Sequence, residues 1–323
     1  MLKNKSIKQE KEPLVTIVLQ TYNRQNLLET ALNSAKNQTY KNIEILIGDN
    51  CSEDNTEEYC LKEAEKDLRI RYFRHKENIG MVNNANFLLD RINGEYFIFL
   101  NDDDWLDENY VEKSVKFIHN RKNYSMVCPS TVLYPPNYMD FSKKIGKICK
   151  IAKLNSNSVF KRLKEYLINQ DSIEMSSGCF RTSVLRDIKD EEGQYIIDRY
   201  NEDIVLIMKF LAKGKCKVLP DTHLNKRDGG FSRNLNTTKE VYTVRGINAQ
   251  NIARRRCQIF SNAIKNDNYF KSLFSAKQLQ NLSERIYDTL CWNYCQGKYL
   301  NKIYLMKIIR CIKFLFKYRL YKI

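Results

Sequence analysis

The feature that most constrains the fold is the alternation of strand-like and helix-like segments along the first third of the chain. Strand-like segments occur at residues 14–20, 42–50, 70–75 and 95–100, and the first of them is an apolar run rich in β-branched residues, which is typical of a buried strand. Segments with helical spacing or propensity separate them, at residues 26–38, 52–67 and 83–92. This order predicts an α/β fold: a Rossmann-like, mostly parallel sheet with helices on both faces.

Acidic side chains follow two of these predicted strands. The run at 42–50 closes on Asp49, and the run at 95–100 continues through Asn101 into three consecutive acids, Asp102, Asp103 and Asp104. Ligands of such sheets bind beyond the carboxyl ends of the strands, so these acids lie at the expected binding edge. Taken alone, three adjacent carboxylates are explained either by a solvated turn or by a divalent cation bound among them, since adjacent anions repel.

The pattern loosens between residues 125 and 240. It predicts four elements: a basic helix at 158–169, a glycine-containing strand at 176–185, a helix that opens on Glu202 and Asp203, and a flexible basic loop at 225–234. From residue 241 the chain is helical in pattern and increasingly basic. We therefore predict a folded domain over residues 13–240 and a basic helical C-terminal extension over residues 241–323.

The chain is strongly basic, because 54 lysines and arginines stand against 38 aspartates and glutamates and give a net charge of +16. This excess predicts an anionic partner: nucleic acid, an anionic membrane face or a phosphorylated substrate. Nucleic acid is the least favoured of these partners, because the basic residues concentrate in the C-terminal third and form no recognised binding motif.

The C-terminal extension contains one apolar helical face, formed by Leu305, Ile308, Ile309, Ile312, Leu315 and Phe316. Basic residues cluster on the other side, which suits the surface of an anionic bilayer; the alternative is packing on the preceding domain or on another subunit. The N-terminus lacks a signal-peptide pattern, and no apolar run reaches a membrane-spanning length. We therefore expect a cytoplasmic protein, peripheral on the inner face of the cytoplasmic membrane.

Three segments occur in an order that resembles one enzyme family. They are "VTIVLQTYNRQNLLETALNSAKNQTYKNIEILIGDNCSEDNT" (15–56), "NGEYFIFLNDDDWL" (93–106) and "NEDIVLIMKFLAKGK" (201–215). Together they resemble the family 2 glycosyltransferases of the GT-A fold, over about residues 13–235. The resemblance implies metal-dependent, inverting transfer of a sugar from a nucleoside diphosphate sugar, in particular a UDP-sugar. The acceptor implied is a hydroxyl of a glycan or lipid-linked glycan, in bacterial surface polysaccharide synthesis.

The resemblance also implies roles for individual residues. Contacts to the nucleotide sugar are assigned to Thr21, Asp49, Asp102 and Arg227. The principal ligand of an Mn²⁺ or Mg²⁺ ion is Asp103, supported by Asp104. The general base that takes the proton of the acceptor hydroxyl is Asp203, and Glu202 lies beside it.

The chain departs from the family pattern at several positions. Asn101 stands at the first acid of the usual Asp-x-Asp, and Asp228 stands where a histidine is expected. Whether Asp228 or His223 adds a ligand to the metal therefore stays open. The alternative enzyme is a nucleotidylyltransferase, which would carry a glycine-rich phosphate loop after the first strand; "QTYNRQN" has no glycine. The alternative outside the enzymes is a polyanion-binding protein.

Overall fold

The computed structural model describes residues 12–134, 147–148, 153–168, 178–189, 193–195, 202–227 and 268–284. The chain divides into two compact units, residues 1–234 and residues 235–323. The predicted domain boundary after residue 240 stays a prediction. The predicted amphipathic face at 305–316 lies outside the described residues.

The N-terminal half of the first unit is a parallel β/α arrangement. Its elements are β1 (Val15–Thr21), α1 (Gln25–Lys36), β2 (Ile43–Asp49), α2 (Thr56–Lys66), β3 (Ile70–Arg74), α3 (Met81–Leu89) and β4 (Tyr96–Asn101). The strands lie in the order β3-β2-β1-β4, and each neighbouring pair is parallel. These elements confirm the predicted α/β alternation.

The rest of the first unit extends the same sheet. Its elements are β5 (Asp104–Leu106), α4 (Tyr110–Ile118), β6 (Tyr124–Tyr134), β7 (Lys147–Ile148), α5 (Val159–Ile168), β8 (Cys179–Arg181), α6 (Thr182–Asp187), α7 (Glu202–Lys213) and β9 (Lys215–Arg227). Beyond β4 the order is β8-β6-β9-β5, with β7 on β6. Because β8 is antiparallel to both β4 and β6, and β5 is antiparallel to β9, the sheet is mixed.

Two predicted elements need correction. The strand predicted at 176–185 is only Cys179–Arg181, because the backbone N–H of Thr182 donates to the carbonyl of Glu95 and a short helix then buries Leu185. The loop predicted at 225–234 does not include residues 225–227, since β9 continues to Arg227 through its pairing with β6 and β5. In the second unit the described helices are α8 (Asn268–Leu273) and α9 (276–284).

The core lies between the central strands and the helices that cover them. Every residue of β2 and all but Gln20 of β1 are buried, as expected for parallel strands covered on both faces. One side is covered by α1, whose buried face consists of Leu28, Ala31, Leu32 and Ala35. This spacing of three and four residues is the amphipathic pattern that predicted the helix.

Gly48, in β2, lets α3 approach the sheet closely. A Cβ atom at this position would lie 2.4 Å from Oδ1 of Asn84 and 2.7 Å from Cδ1 of Leu88. The Asn84 amide also donates to the Gly48 carbonyl, at 2.9 Å, and its oxygen lies 3.1 Å from Nε2 of His75. The strand, the helix and the chain after β3 are therefore joined at one point.

Candidate active site

The carboxyl ends of three adjacent parallel strands bring the predicted site residues together. Thr21 at the end of β1 is in register with Asp49 at the end of β2, and Gln20 is in register with Asn101 at the end of β4. Asp102 follows directly. As the sequence predicts, these side chains share one edge of the sheet, where ligands of such folds bind.

Asp102 is held on both of its oxygens. The hydroxyl of Thr21 donates to Oδ2 at 2.9 Å, and Nη1 of Arg24 donates to Oδ1 at 3.0 Å. Burial raises the pKa of Asp102 to about 6; the Arg24 charge opposes this rise and the neighbouring Asp103 charge adds to it. The carboxylate is thus oriented from β1 and the start of α1 and has little freedom to turn.

The other two acids differ in their exposure. Asp104 is buried, and Oδ2 of this residue accepts a hydrogen bond from the amide of Asn101 at 3.2 Å. The Asp103 side chain is 17% exposed, and Oδ2 of Asp103 lies 3.7 Å from Nη1 of Arg24. Of the three acids, Asp103 therefore presents its carboxylate most openly.

The acids fit a divalent cation of the substrate-bridging kind. Mg²⁺ and Mn²⁺ prefer hard oxygen ligands, and such ions are bound by one or two carboxylates together with phosphate and water oxygens. Within the described ranges no three His, Cys, Asp or Glu side chains are arranged to hold a metal by themselves. Asp103 and Asp104 would supply ligands for a site shared with the substrate rather than a complete protein cage.

Asp49 is wholly buried and its carboxylate is hydrogen-bonded within the protein. Oδ1 accepts the backbone N–H of Ser52 at 2.8 Å, Oδ2 accepts the hydroxyl of Tyr72 at 2.7 Å, and Nε of Arg74 lies 3.8 Å from Oδ2. Burial and the bond to Asp49 raise the pKa of Tyr72, so its hydroxyl stays a donor. Asp49 therefore organises the loop after β2, where Cys51 adopts a φ of 67°.

Arg227 brings the end of β9 to the acids. Its Nη1 donates to the Asp103 carbonyl at 3.4 Å, and its Nη2 donates to Oγ1 of Thr30 at 3.4 Å. The guanidinium carbon lies 5.3 Å from the ring centre of Trp105, which in turn lies 5.0 Å from the ring of Tyr134. Burial lowers the pKa of Arg227, and the negative charges of Asp103 and Asp104 act in the opposite direction and raise it.

His223 is part of a structural link. Its Nδ1 lies 2.8 Å from Oδ2 of Asp107, and its backbone N–H donates to the same oxygen at 3.0 Å. These bonds tie β9 to the residue after β5. Asp228, the other residue considered as a metal ligand, lies outside the described residues.

The two residues assigned to base catalysis lie at the start of α7, which begins at Glu202 as the sequence predicts. The side chains of Glu202 and Asp203 lie outside the part of the chain that the structure describes, so their roles stay predictions.

Two contact residues of the site were missed at the sequence level. Arg24 reaches Asp102 from the turn after β1, and Tyr72 reaches Asp49 from within β3. A signal existed for Arg24, since it follows the carboxyl end of β1 in "TYNR" and so lies at the binding edge. Tyr72 gave no such signal, because an aromatic residue inside a strand is ordinarily a packing residue.

The fold is similar to those of solved enzymes. A crystal structure of S. aureus TarS matches 88% of this chain and 74% of its own, with a TM-score of 0.60 and 14% identity. The mannosyltransferase PcManGT from Pyrobaculum calidifontis, in complex with GDP-Man and Mn²⁺, matches 96% of this chain and 83% of its own, with a TM-score of 0.56 and 15% identity. At such identities the likeness shows the fold alone, and it confirms the predicted GT-A architecture.

Curated relatives match about a third of the chain. Glycosyltransferase GlyA of Streptococcus pneumoniae is 38% identical over 104 residues, which are 32% of this chain and 15% of the relative. A Campylobacter jejuni enzyme, GalNAc(5)-diNAcBac-PP-undecaprenol beta-1,3-glucosyltransferase, is 39% identical over 95 residues, which are 29% of this chain and 31% of the relative. The matches thus span less than a third of either relative.

The model of one family, described as glycosyl transferase family 2, matches residues 16–188. This range is more than half of the 323 residues, and it contains β1 from Thr16 onward, the acids after β4 and the strand β8 that pairs with β4. The chain belongs to glycosyl transferase family 2.

Proposed function

We propose that this protein is a metal-dependent, inverting glycosyltransferase. It moves a sugar from a nucleoside diphosphate sugar to a hydroxyl of a glycan or lipid-linked glycan. The observation that carries the proposal is the arrangement of Asp102 and Asp103 beside Arg24 and Arg227 at the carboxyl edge of the sheet. Carboxylates for a cation and guanidinium groups for phosphate oxygens stand together where a nucleotide is expected to bind.

The leaving group of this reaction is a nucleoside diphosphate, so negative charge develops on its oxygens. Arg227, at the end of β9, would stabilise that charge, and its planar guanidinium suits two phosphate oxygens. Asp103 and Asp104 would hold an Mn²⁺ or Mg²⁺ ion, which when bound supplies Lewis-acid stabilisation of the diphosphate. Thr21 would keep Asp102 turned toward the nucleotide.

The acceptor side of the reaction is assigned to the start of α7. The acceptor hydroxyl attacks the anomeric carbon, the bond from that carbon to the diphosphate oxygen breaks, and the hydroxyl proton passes to the carboxylate of Asp203. One displacement inverts the anomeric centre, and no sugar becomes bonded to the protein. General-base catalysis of this kind is worth about 10²–10⁴-fold in rate.

A UDP-sugar and a lipid-linked acceptor are the substrates that we propose. The Campylobacter relative is a GalNAc(5)-diNAcBac-PP-undecaprenol glucosyltransferase by name, and one TarS structure is a complex with UDP-GlcNAc. Surface polysaccharide synthesis is a role consistent with such an acceptor.

We also propose that the C-terminal extension binds an anionic membrane surface on the cytoplasmic side. Among the described helices none is both long and apolar enough to cross a bilayer. The basic face at 302–317 would contribute about 1 kcal/mol per lysine or arginine near an anionic surface. Truncation after Gly297 should abolish co-sedimentation with phosphatidylglycerol vesicles, and unchanged co-sedimentation would refute this role.

A panel of nucleotide sugars tests the catalytic proposal directly. The melting temperature and the release of nucleoside diphosphate are measured with each sugar, with Mn²⁺ or with chelator. We expect one UDP-sugar to raise the melting temperature and to be hydrolysed slowly, both only with the metal. Nucleoside triphosphates with sugar phosphates are included, because their consumption with release of diphosphate would identify a nucleotidylyltransferase instead.

A further inference from the structure

Arg24 lies among the acids although no role was assigned to it by the family resemblance. Its Nη1 is 3.0 Å from Oδ1 of Asp102 and 3.7 Å from Oδ2 of Asp103, and its side chain is 30% exposed. We propose that Arg24 is a built-in counter-cation: without nucleotide it pairs with the acids that a divalent cation would otherwise neutralise. The metal then binds well only together with a nucleoside diphosphate. This inference rests on the proposed metal-dependent function.

The position of Arg24 is determined by its backbone. Its carbonyl accepts the N–H groups of Leu27 and Leu28, both at 3.0 Å, which start α1. The preceding residue, Asn23, has a φ of 54°, and its side-chain oxygen accepts the N–H of Glu53 at 2.7 Å. The turn is thus joined to the loop after β2, and the guanidinium extends from a defined point toward Asp102.

The Arg24 guanidinium and a bound divalent ion would both lie close to the carboxylates of Asp102 and Asp103. A guanidinium and a divalent ion near the same acids repel each other, so the arginine weakens the binding of metal alone. A diphosphate offsets this repulsion, because its oxygens can accept hydrogen bonds from the guanidinium and ligate the metal at the same time. Metal and nucleotide should therefore strengthen each other's binding, and linkage requires the two effects to be equal.

The test measures Mn²⁺ binding rather than turnover. Free Mn²⁺ is followed by electron paramagnetic resonance in titrations of the full chain, without nucleotide and with saturating UDP. The variants are Arg24→Gln and Arg24→Met, which remove the charge, and Arg24→Lys, which keeps it. The control is Arg69→Gln: Arg69 pairs with Asp67 at 2.7 Å just before β3, at the opposite edge of the sheet.

We expect both neutral variants to bind Mn²⁺ alone at least about tenfold more tightly than the wild type, the lower end of the effect of a unit charge on a divalent cation a few ångströms away. UDP should then improve their Mn²⁺ affinity less than it does in the wild type. Arg24→Lys and Arg69→Gln should behave as the wild type. Circular dichroism of each variant establishes whether it is folded. Two neutral variants are made so that the test still stands if one of them does not fold.

Two outcomes would overturn the inference, and they can be told apart. If the neutral variants bind Mn²⁺ alone no more tightly than the wild type, while UDP still promotes binding in all of them, the counter-cation role alone is wrong. If neither wild type nor variants bind Mn²⁺ with UDP or with GDP, the metal dependence of the proposed function fails, and the inference fails with it.

Discussion

The hydroxyl of Tyr72, in β3, donates to Oδ2 of Asp49, at the end of β2, across 2.7 Å. This bond satisfies a carboxylate that has no exposure to water. Tyr72→Phe should therefore lower the free energy of unfolding by about 1.5–3 kcal/mol, the usual range for a hydrogen bond to a charged group. Urea denaturation of both proteins at neutral pH measures the difference.

Tyr59→Phe is the matched control for that change. Tyr59 is partly buried and packs against the same core from α2. Both variants keep the aromatic ring, but only the Tyr72 hydroxyl donates to the buried Asp49 carboxylate, so we expect a smaller loss of stability than for Tyr72→Phe. Equal losses from the two substitutions would mean that the bond to Asp49 contributes no more than an ordinary tyrosine hydroxyl.

Asp103→Asn should abolish metal-dependent turnover while the protein remains folded. The Asp103 carboxylate is the most open of the three acids, and an amide in its place removes the charge that attracts the cation. Activity and Mn²⁺ binding are measured on the same preparation, with its melting temperature as the check on folding.

Asp187→Asn provides the charge-matched control for Asp103→Asn. Asp187 ends α6, and its carboxylate lies 3.4 Å from Nζ of Lys213 on the surface. An exposed pair of this kind contributes little, so this variant should keep its turnover and its metal affinity. Wild-type turnover that persists in excess chelator would contradict the assignment of Asp103.

Asp203→Asn should reduce turnover by about 10²–10⁴-fold while nucleotide-sugar and metal binding persist, because a base acts mainly in the transition state. Glu202→Gln is the comparison. Consecutive residues of an α-helix are about 100° apart around its axis, so we expect only one of the two to serve the hydroxyl. Single-turnover kinetics of the two variants decide the question, and a larger loss for Glu202→Gln would move the base by one residue.

Glu44, at the amino end of the sheet, should make stability depend on pH. Burial acts to raise its pKa, but hydrogen bonds from Thr16, Asn93 and Arg71 outweigh burial and hold the pKa below its usual value of 4.5. A carboxyl with a lowered pKa in the folded state stabilises the protein above the unfolded pKa. That contribution disappears as the pH falls through the folded value.

Glu44→Gln tests this pH dependence. The stability difference between wild type and variant should be largest near neutral pH and should shrink as the pH falls below about 4.5. Urea denaturation at several pH values measures it. A difference that stays constant down to about pH 3 would show that packing and neutral hydrogen bonds, rather than the charge of Glu44, account for the loss.

The centre of the N-terminal half of the sheet was predictable because β1, β2 and β4 are buried on both faces. Apart from Glu44, the run Ile43–Asp49 carries no charged side chain before the acid that ends it, and turn signals separate such runs from the helices. The acids at the strand ends were predictable for the same reason, since the end of each run places them at the binding edge.

The rest of the fold depends on pairings that local sequence does not encode. β8 is a strand of three residues that exists because it pairs with β4 on one side and β6 on the other. β9 contains Pro220 and polar residues, yet it runs for thirteen residues between β6 and β5. The contact of Arg227 with Asp103 follows from this pairing, and no periodicity near residue 227 predicts it.

Gly48 has a consequence for the evolutionary freedom of the site. Even the smallest side chain at this position would overlap Asn84, whose amide joins the strand carbonyl to His75. A library randomised at residue 48 should therefore return glycine alone, although no left-handed backbone demands it. The proposed nucleotide site can then vary only in the loops after the strands, while the distance between β2 and α3 stays constant.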